Sequence, residues 1–311
     1  MSGAIPPGSQ DVAKASDRLT FVYLERCIVH RDSNALTATD DRGTVHIPMA
    51  MIGALLLGPG TRITHAAMSV IGAAGASVIW VGEGSVRCYA AGRPLARSTR
   101  LLEAQARAFS SQKARLRIAR EMYEMRFPDE DVSHLTMQQL RGREGARVRK
   151  IYAAESQRTS VDWVRRDYKA GDIADSDPVN QALSSANSCL YGVIAAVIHS
   201  LGMAPGLGFV HVGHDLSFVY DVADLFKAET TIPAAFDVVA SGSVDPVNDV
   251  RRLLRDRLMA EGVMERAVKI LRDLFLDGAT AKEEPLIMYD EALSIWSGRS
   301  DNRLSSGQNY G

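Results

Sequence analysis

SVIWVGEGSVRCYAAGRPLARSTRLLEAQARAF, residues 77 to 109, decides the fold, because its two halves follow different periods. In the first half two apolar, β-branched runs flank Gly82 and Gly84. Glycine readily adopts the positive φ of a tight turn, so this stretch predicts a β-hairpin. Past Gly92 and Pro94 the texture changes. From Ser98 onward Leu101, Leu102, Gln105, Ala108, Phe109, Leu116, Ala119, Met122 and Tyr123 recur at helical spacing among Arg and Lys, which predicts one long helix.

Upstream, residues 19–24 (LTFVYL) and 45–47 carry strand signals, so the N-terminal part is β-rich. Downstream, Thr136 followed three residues later by Gln139 is a capping box, opening a helix through Glu144 and Val148 toward Ala154. Asp177 before Pro178 reads as an N-cap with a first-turn proline, and Gly202 as the C-cap of the apolar helix between them. Residues 216–227 and 250–276 are helical in pattern. The expected class is α+β, a β-rich domain followed by a predominantly α-helical one. The expected boundaries are a flexible N-terminus at 1–16, the β-rich domain at 17–92, a linker at 93–97, the helical domain at 98–276 and a tail at 277–311. PLIMYDEALSIW within that tail is too apolar for a plain linker and reads as a last packed element or a partner-docking segment.

The chain has 311 residues with 46% hydrophobic and 23% charged, which excludes global disorder, collagen and a coiled-coil rod. Its net charge of −1 hides a zoning: residues 93–150 hold 14 basic and 7 acidic side chains, whereas residues 200–311 hold 11 and 17. Such a protein can attract phosphate on one surface and concentrate cations on another. The basic run from Arg97 to Arg126 reads equally as a phosphate-binding surface or a solvated helix face. Cys27, Cys88 and Cys189 are odd in number and far apart, which points to a reducing compartment, the cytoplasm. No secretory signal pattern opens the chain, and the greasy stretch at 190–198 is far short of the roughly 20 residues that span a bilayer, so no membrane partner is expected. No GxxxxGK[ST] occurs, and Gly72 and Gly75 precede a strand instead of following one, so nucleotide-binding loops have no support.

The densest polar signal is HVGHDLSFVYDVAD, residues 211–224. Asp221 and Asp224 on a helix would emerge about 60° apart on one face and repel each other. A divalent cation would compensate, with His211 reaching the same point, although a lone DxxD pair is more often a solvated acidic face. Glu144, set among Arg141, Arg143, Arg147, Arg149 and Lys150, reads as a surface ion-pair partner or as a third hard-metal ligand. His211 and His214 form an HxxH that lacks the thiolates or third histidine of a zinc site.

LRGREGxRVR, then SCLYG, then GFVHxGxxLSFVYDxAD, together with PGTRITHAA, VIWVGEG and VRCYA, resemble the CRISPR-associated spacer integrase (Cas one) of type I-E systems, from about residue 17 to about residue 276. The resemblance implies that the helical domain is catalytic and that the chain is a metal-dependent DNA endonuclease and integrase. Such an enzyme joins protospacer 3′-OH ends to the CRISPR repeat by transesterification. It implies Glu144, His211, Asp221 and Asp224 as catalytic residues, with Glu144, His211 and Asp224 holding Mg²⁺ or Mn²⁺. Tyr191 and Tyr168 are implied near the active site. Arg62, Arg87, Arg147, Arg166, Arg251 and Arg255 are implied as DNA-binding positions. Implied partners are double-stranded DNA, a second copy in a homodimer, and a small CRISPR-associated protein (Cas two) bridging two dimers. Two other functions fit the same residues: a structure-selective nuclease of branched DNA, and a non-catalytic DNA-binding scaffold.

Overall fold

A computed structural model describes residues 20–32, 35–48, 52–74, 76–82, 88–92, 98–166, 176–276, 294–296 and 303–305. The described residues of the first half form eight strands and one helix: β1 (Thr20–Leu24), β2 (Ile28–Asp32), β3 (Ala35–Asp40), β4 (Gly43–Ile47), β5 (Ile52–Leu57), β6 (Arg62–Ile63), α1 (His65–Ala74), β7 (Ser77–Val81) and β8 (Cys88–Ala91). They form two four-stranded sheets, ordered β1-β5-β7-β8 and β4-β3-β2-β6. The hairpin expected around Gly82 is the antiparallel β7–β8 pair, with Trp80 opposite Ala90, while β1, β5 and β7 run parallel.

Strand β5, IGALLL, is buried at all six positions because it is covered on both faces. On one face Ile52, Leu55 and Leu57 pack with Val29 and Leu36 of the second sheet and with Ala67 and Ile71 of α1. On the other, Ala54 and Leu56 join Ile79, Val81 and Ala196 in a smaller apolar cluster. Ala196 belongs to a helix, so the strand-rich half is seated directly on the helical half.

That half comprises α2 (Arg100–Ser110), α3 (Gln112–Glu124), α4 (Met137–Thr159), α5 (Pro178–Ser200), α6 (Ser217–Ala223), α7 (Thr231–Ala240), α8 (Pro246–Ala260) and α9 (Val263–Phe275). The α+β class is as expected. Helix α5 runs through the core, packed against α6, α7, α8 and α9, and shares one buried cluster with Ile118, Phe218, Phe236, Leu254 and Leu271. Its Asp177 side chain caps it as expected, and Gly202, at φ +70°, ends it. By length and composition α5 would also suffice to cross a membrane, although the apolar run within it is short; most of it is buried in this core. The Thr136–Gln139 capping box opens α4 as read.

Three helical expectations need correction. The long helix from Ser98 is two helices, because Ser111 adopts an extended conformation and its hydroxyl caps α3 by accepting from the Ala114 amide. Residues 250–276 divide at Gly262, whose φ of +56° starts a new helix axis. Residues 216–227 are helical only through Ala223, and α7 had no counterpart in the sequence reading. The segments 1–16 and 93–97 lie outside the described residues. Within the tail, Ser294–Trp296 pairs antiparallel with Arg303–Ser305, forming β9 and β10.

Candidate metal centre

Asp221 is the keystone of the site. It projects from α6 into the core with no exposed surface, and its charge is met by the loop before the helix. One oxygen accepts the amides of Phe209 at 2.6 Å and Val210 at 3.0 Å; the other accepts the His211 amide at 2.8 Å. Three N–H donors converging on one carboxylate stabilise its charged form inside the protein. The sequence expectation that a cation would balance Asp221 therefore changes: backbone amides do so, and only Asp224 faces outward.

Oδ1 of Asp221 also lies 2.7 Å from His211 Nδ1. With Nδ1–H donated to that carboxylate, Nε2 is left with its lone pair, 4.0 Å from Asp224 Oδ2. The same hydrogen bond raises the His211 pKa, against the opposing effect of burial, with Asp224 adding to the rise.

Asp224, at the C-terminal end of α6, is 2.6 Å from Lys227 Nζ. Lys227 in turn donates to the Tyr191 hydroxyl at 2.7 Å and sits over that ring. Burial acts to lower the Lys227 pKa, but Asp224 and Tyr191 outweigh it and the net shift is upward, so the ammonium stays charged. The Tyr191 ring packs edge-on against Tyr220.

Glu144 arrives from α4. Arg147, one turn further along, grips its carboxylate in bidentate fashion, at 2.8 and 3.2 Å. Arg126, in the turn after α3, brings Nη1 to 3.5 Å from Glu144 Oε1 and Nη2 to 3.9 Å from Asp224 Oδ2. Arg126 thus links Glu144 to Asp224, which His211 Nε2 also faces. Among the described residues no three His, Cys, Asp or Glu side chains are close enough to hold a metal ion as they stand, and Arg126, Arg147 and Lys227 pair with the acids. The electron-pair donors still suit a hard cation: two carboxylates and an imidazole nitrogen turned outward by Asp221. His214 Nδ1 accepts from the Leu216 amide.

The loop bearing His211 is held from behind. Buried Gln105 donates to the carbonyls of Ala204 and Leu207 and accepts from the Ala204 amide. Arg115 donates to the Gly208 carbonyl. Gly208 has to be glycine, because a Cβ there would run into the His211 carbonyl and lie 2.7 Å from Ser217 Cβ.

The predicted DNA-contact arginines are dispersed. Arg62 is exposed on β6. Arg166 donates to Asn180 Oδ1 and Ser184 Oγ, and Arg251 to Ser185 Oγ and Asn248 Oδ1, so both are engaged around the N-terminal half of α5. Arg255 pairs with Asp256 at the surface. Arg87 and Tyr168 lie outside the described residues. The basic run before residue 127 is partly spent inside the fold, with Arg120 on the carbonyls of Ser133 and Leu135 and Arg126 at the acids. Sequence reading missed Arg126, Lys227 and Gln105 as members of the site. Lys227, three residues after Asp224, was legible as an ion-pair partner; the other two carried no local signal.

The chain matches the family described as "CRISPR associated protein Cas1" over residues 20–129 and 129–262. It is 48% identical over 299 residues to the "CRISPR-associated endonuclease Cas1" of Clostridium sp. (strain SY8519), covering 96% of this chain and 97% of that protein. It is 42% identical over 304 residues to "CRISPR-associated endonuclease Cas1 2" of Thermus thermophilus, covering 97% and 93%. A solved structure described as "Crystal structure of TtCas1-DNA complex" superposes with a TM-score of 0.72 at 44% identity, covering 84% of this chain and 98% of that one. With both halves of the sequence matched and near-full-length relatives well above 30% identity, the chain belongs to the Cas1 family.

Proposed function

We propose that the protein is a metal-dependent DNA endonuclease and integrase of CRISPR adaptation, of the type I-E subfamily. The observation that carries this reading is the fixing of His211 by buried Asp221, which leaves Nε2 facing Asp224, itself bridged to Glu144 by Arg126. That relatives are named endonucleases, and one is described in complex with DNA, supports it.

Glu144, His211 and Asp224 would hold Mg²⁺ or Mn²⁺, which when bound supplies Lewis-acid stabilisation of charge on phosphate oxygens. Asp221 holds the His211 tautomer and the backbone of its loop. Lys227 stays protonated beside Asp224 and keeps the Tyr191 hydroxyl oriented by donating to it. In the reaction a DNA 3′-hydroxyl oxygen bonds to the phosphorus of a second strand, the existing P–O3′ bond breaks, and the proton lost by the attacking hydroxyl is balanced by protonation of the leaving 3′-oxygen. No covalent protein intermediate is needed. Arg62, Arg87, Arg147, Arg166, Arg251 and Arg255 are proposed to contact DNA phosphates, and Tyr168 to act beside Tyr191. These functions are assigned to a β-rich domain at 17–92 and a catalytic domain at 98–276, joined by 93–97. The proposal includes a homodimer, bridging by the small Cas two partner with the tail at 277–311 as its docking segment, and a cytoplasmic location.

The test mixes the protein with that partner, short duplexes bearing free 3′ ends and a repeat-bearing plasmid under Mn²⁺. Strand-transfer products that disappear in Asp224→Ala support the proposal. Cutting without joining indicates a branched-DNA nuclease, and DNA binding without either indicates a scaffold.

A further inference from the structure

The Arg126 side chain is buried, only 4% exposed, yet its Nε and Nη2 have no hydrogen-bond partner among the described residues. The guanidinium lies over the Tyr123 ring, 4.9 Å from the centroid. Its contacts with the acids are long: Nη1 donates to Glu144 Oε1 at 3.5 Å, and Nη2 meets Asp224 Oδ2 only as an ion pair, at 3.9 Å. A buried cation so sparsely bonded loses more hydration than local hydrogen bonds return, and it is stable only where strong Coulomb attraction offsets the loss. Two facing carboxylates provide that attraction. Of the two acids, Arg147 pairs with Glu144 and Lys227 with Asp224, whereas Arg126 reaches both.

We infer that Arg126 is a built-in counter-ion, which keeps Glu144 and Asp224 facing the same point while the protein is free of metal and weakens the site's affinity for the divalent cation. The inference rests on the metal reading of the site. A fixed positive charge at that position suppresses the repulsion between the two acids before an ion arrives. The same charge repels the ion once it binds, so the site is kept assembled at the expense of tightness.

The test needs no DNA. Melting temperatures are measured by calorimetry in EDTA and in Mn²⁺, and Mn²⁺ affinity by titration, for wild type, Arg126→Gln, Arg126→Lys and the double variant Arg126→Gln/Glu144→Gln. Arg126→Gln is expected to melt about 2–4 °C lower in EDTA. Adding Glu144→Gln should return part of that loss, because the uncompensated acid is gone. Mn²⁺ should raise the melting temperature of Arg126→Gln more than that of wild type, with the dissociation constant about tenfold lower. Arg126→Lys, which keeps the charge, should bind Mn²⁺ as wild type does.

A melting loss that Glu144→Gln does not restore would overturn the inference, leaving Arg126 as a packing residue on Tyr123. So would Mn²⁺ affinity that is unchanged or weaker in Arg126→Gln. If that variant does not fold, Mn²⁺ affinity about tenfold altered in Arg126→Lys overturns the counter-ion role. A wild type that binds no Mn²⁺ refutes the metal reading instead; the Arg126–Glu144 melting cycle then decides the counter-ion role by itself.

Discussion

The two halves of the site are built differently. On the His211 side, Asp221 is fully buried, its carboxylate takes three backbone amides and the imidazole, and Gln105 clamps the same loop from α2. On the Glu144 side, a partly exposed carboxylate on one long helix is met only by arginine side chains. In the first half the functional geometry is part of the folding core, so function and stability cannot be separated. In the second the helix would form with or without the acid, which frees the carboxylate for chemistry. The contrast predicts a graded series of substitutions.

The largest effect should come from Asp221→Asn. The amide keeps one acceptor oxygen but turns an N–H₂ toward amides that previously met a charge, so several buried donors lose their partner at once. A cost of about 3 kcal/mol or more follows, which lowers the melting temperature by on the order of 10 °C. Calorimetry and strand transfer should fall together. An Asp221→Asn variant that melts like wild type would show that the loop does not depend on this carboxylate, and the comparison would fail on its stronger side.

Next comes Gln105→Ala, which deletes three hydrogen bonds to the 204–207 turn and opens a cavity under it, for about 2–3 kcal/mol. Because Gln105 touches no acid of the site, any change in Mn²⁺ affinity must come through loop position. We expect melting to drop and Mn²⁺ binding to weaken; unchanged binding would show that the clamp stabilises without positioning. Gly208→Ala should follow at about 2 kcal/mol, since an added methyl has to displace the His211 carbonyl or Ser217. Hydrogen exchange at the amides of residues 209–211 reports whether the strain is confined to this loop.

The same contrast explains what the sequence disclosed. Features set by nearest neighbours were legible: the change of period after Gly92, the Thr136–Gln139 box, the Asp177–Pro178 start, and the acids of YDxAD with His211 ten residues before them. Features that depend on distant chain were not. A strand pattern does not name its partner, so the parallel pairing of β1, β5 and β7 was invisible. Helix α7 is apolar on most sides because α4, α5 and α8 surround it, and Pro233 within it mimics a break. Ser111 and Gly262 end helices whose hydrophobic period continues across them. Arg126 and Gln105 act on residues far along the chain, and no spacing rule connects them to the acids.

The smallest stability effect should be that of Glu144→Gln, and it is the sharpest test of the other half. The amide oxygen still accepts from Arg147, the capping box still starts α4, and no backbone donor loses its partner. What is lost is one charge shared between Arg147 and Arg126, a cost of about 1 kcal/mol in this partly solvated setting. The chemistry has no such substitute: an amide is a far poorer ligand for a hard cation than a carboxylate, so strand transfer should fall on the order of a hundredfold or more. Melting and activity should therefore diverge in Glu144→Gln, whereas they fall together in Asp221→Asn. Measured on the same preparations, parallel losses in both variants would mean that Glu144 belongs to the folding core as Asp221 does, and that the exposed rim of the site is no freer than its interior.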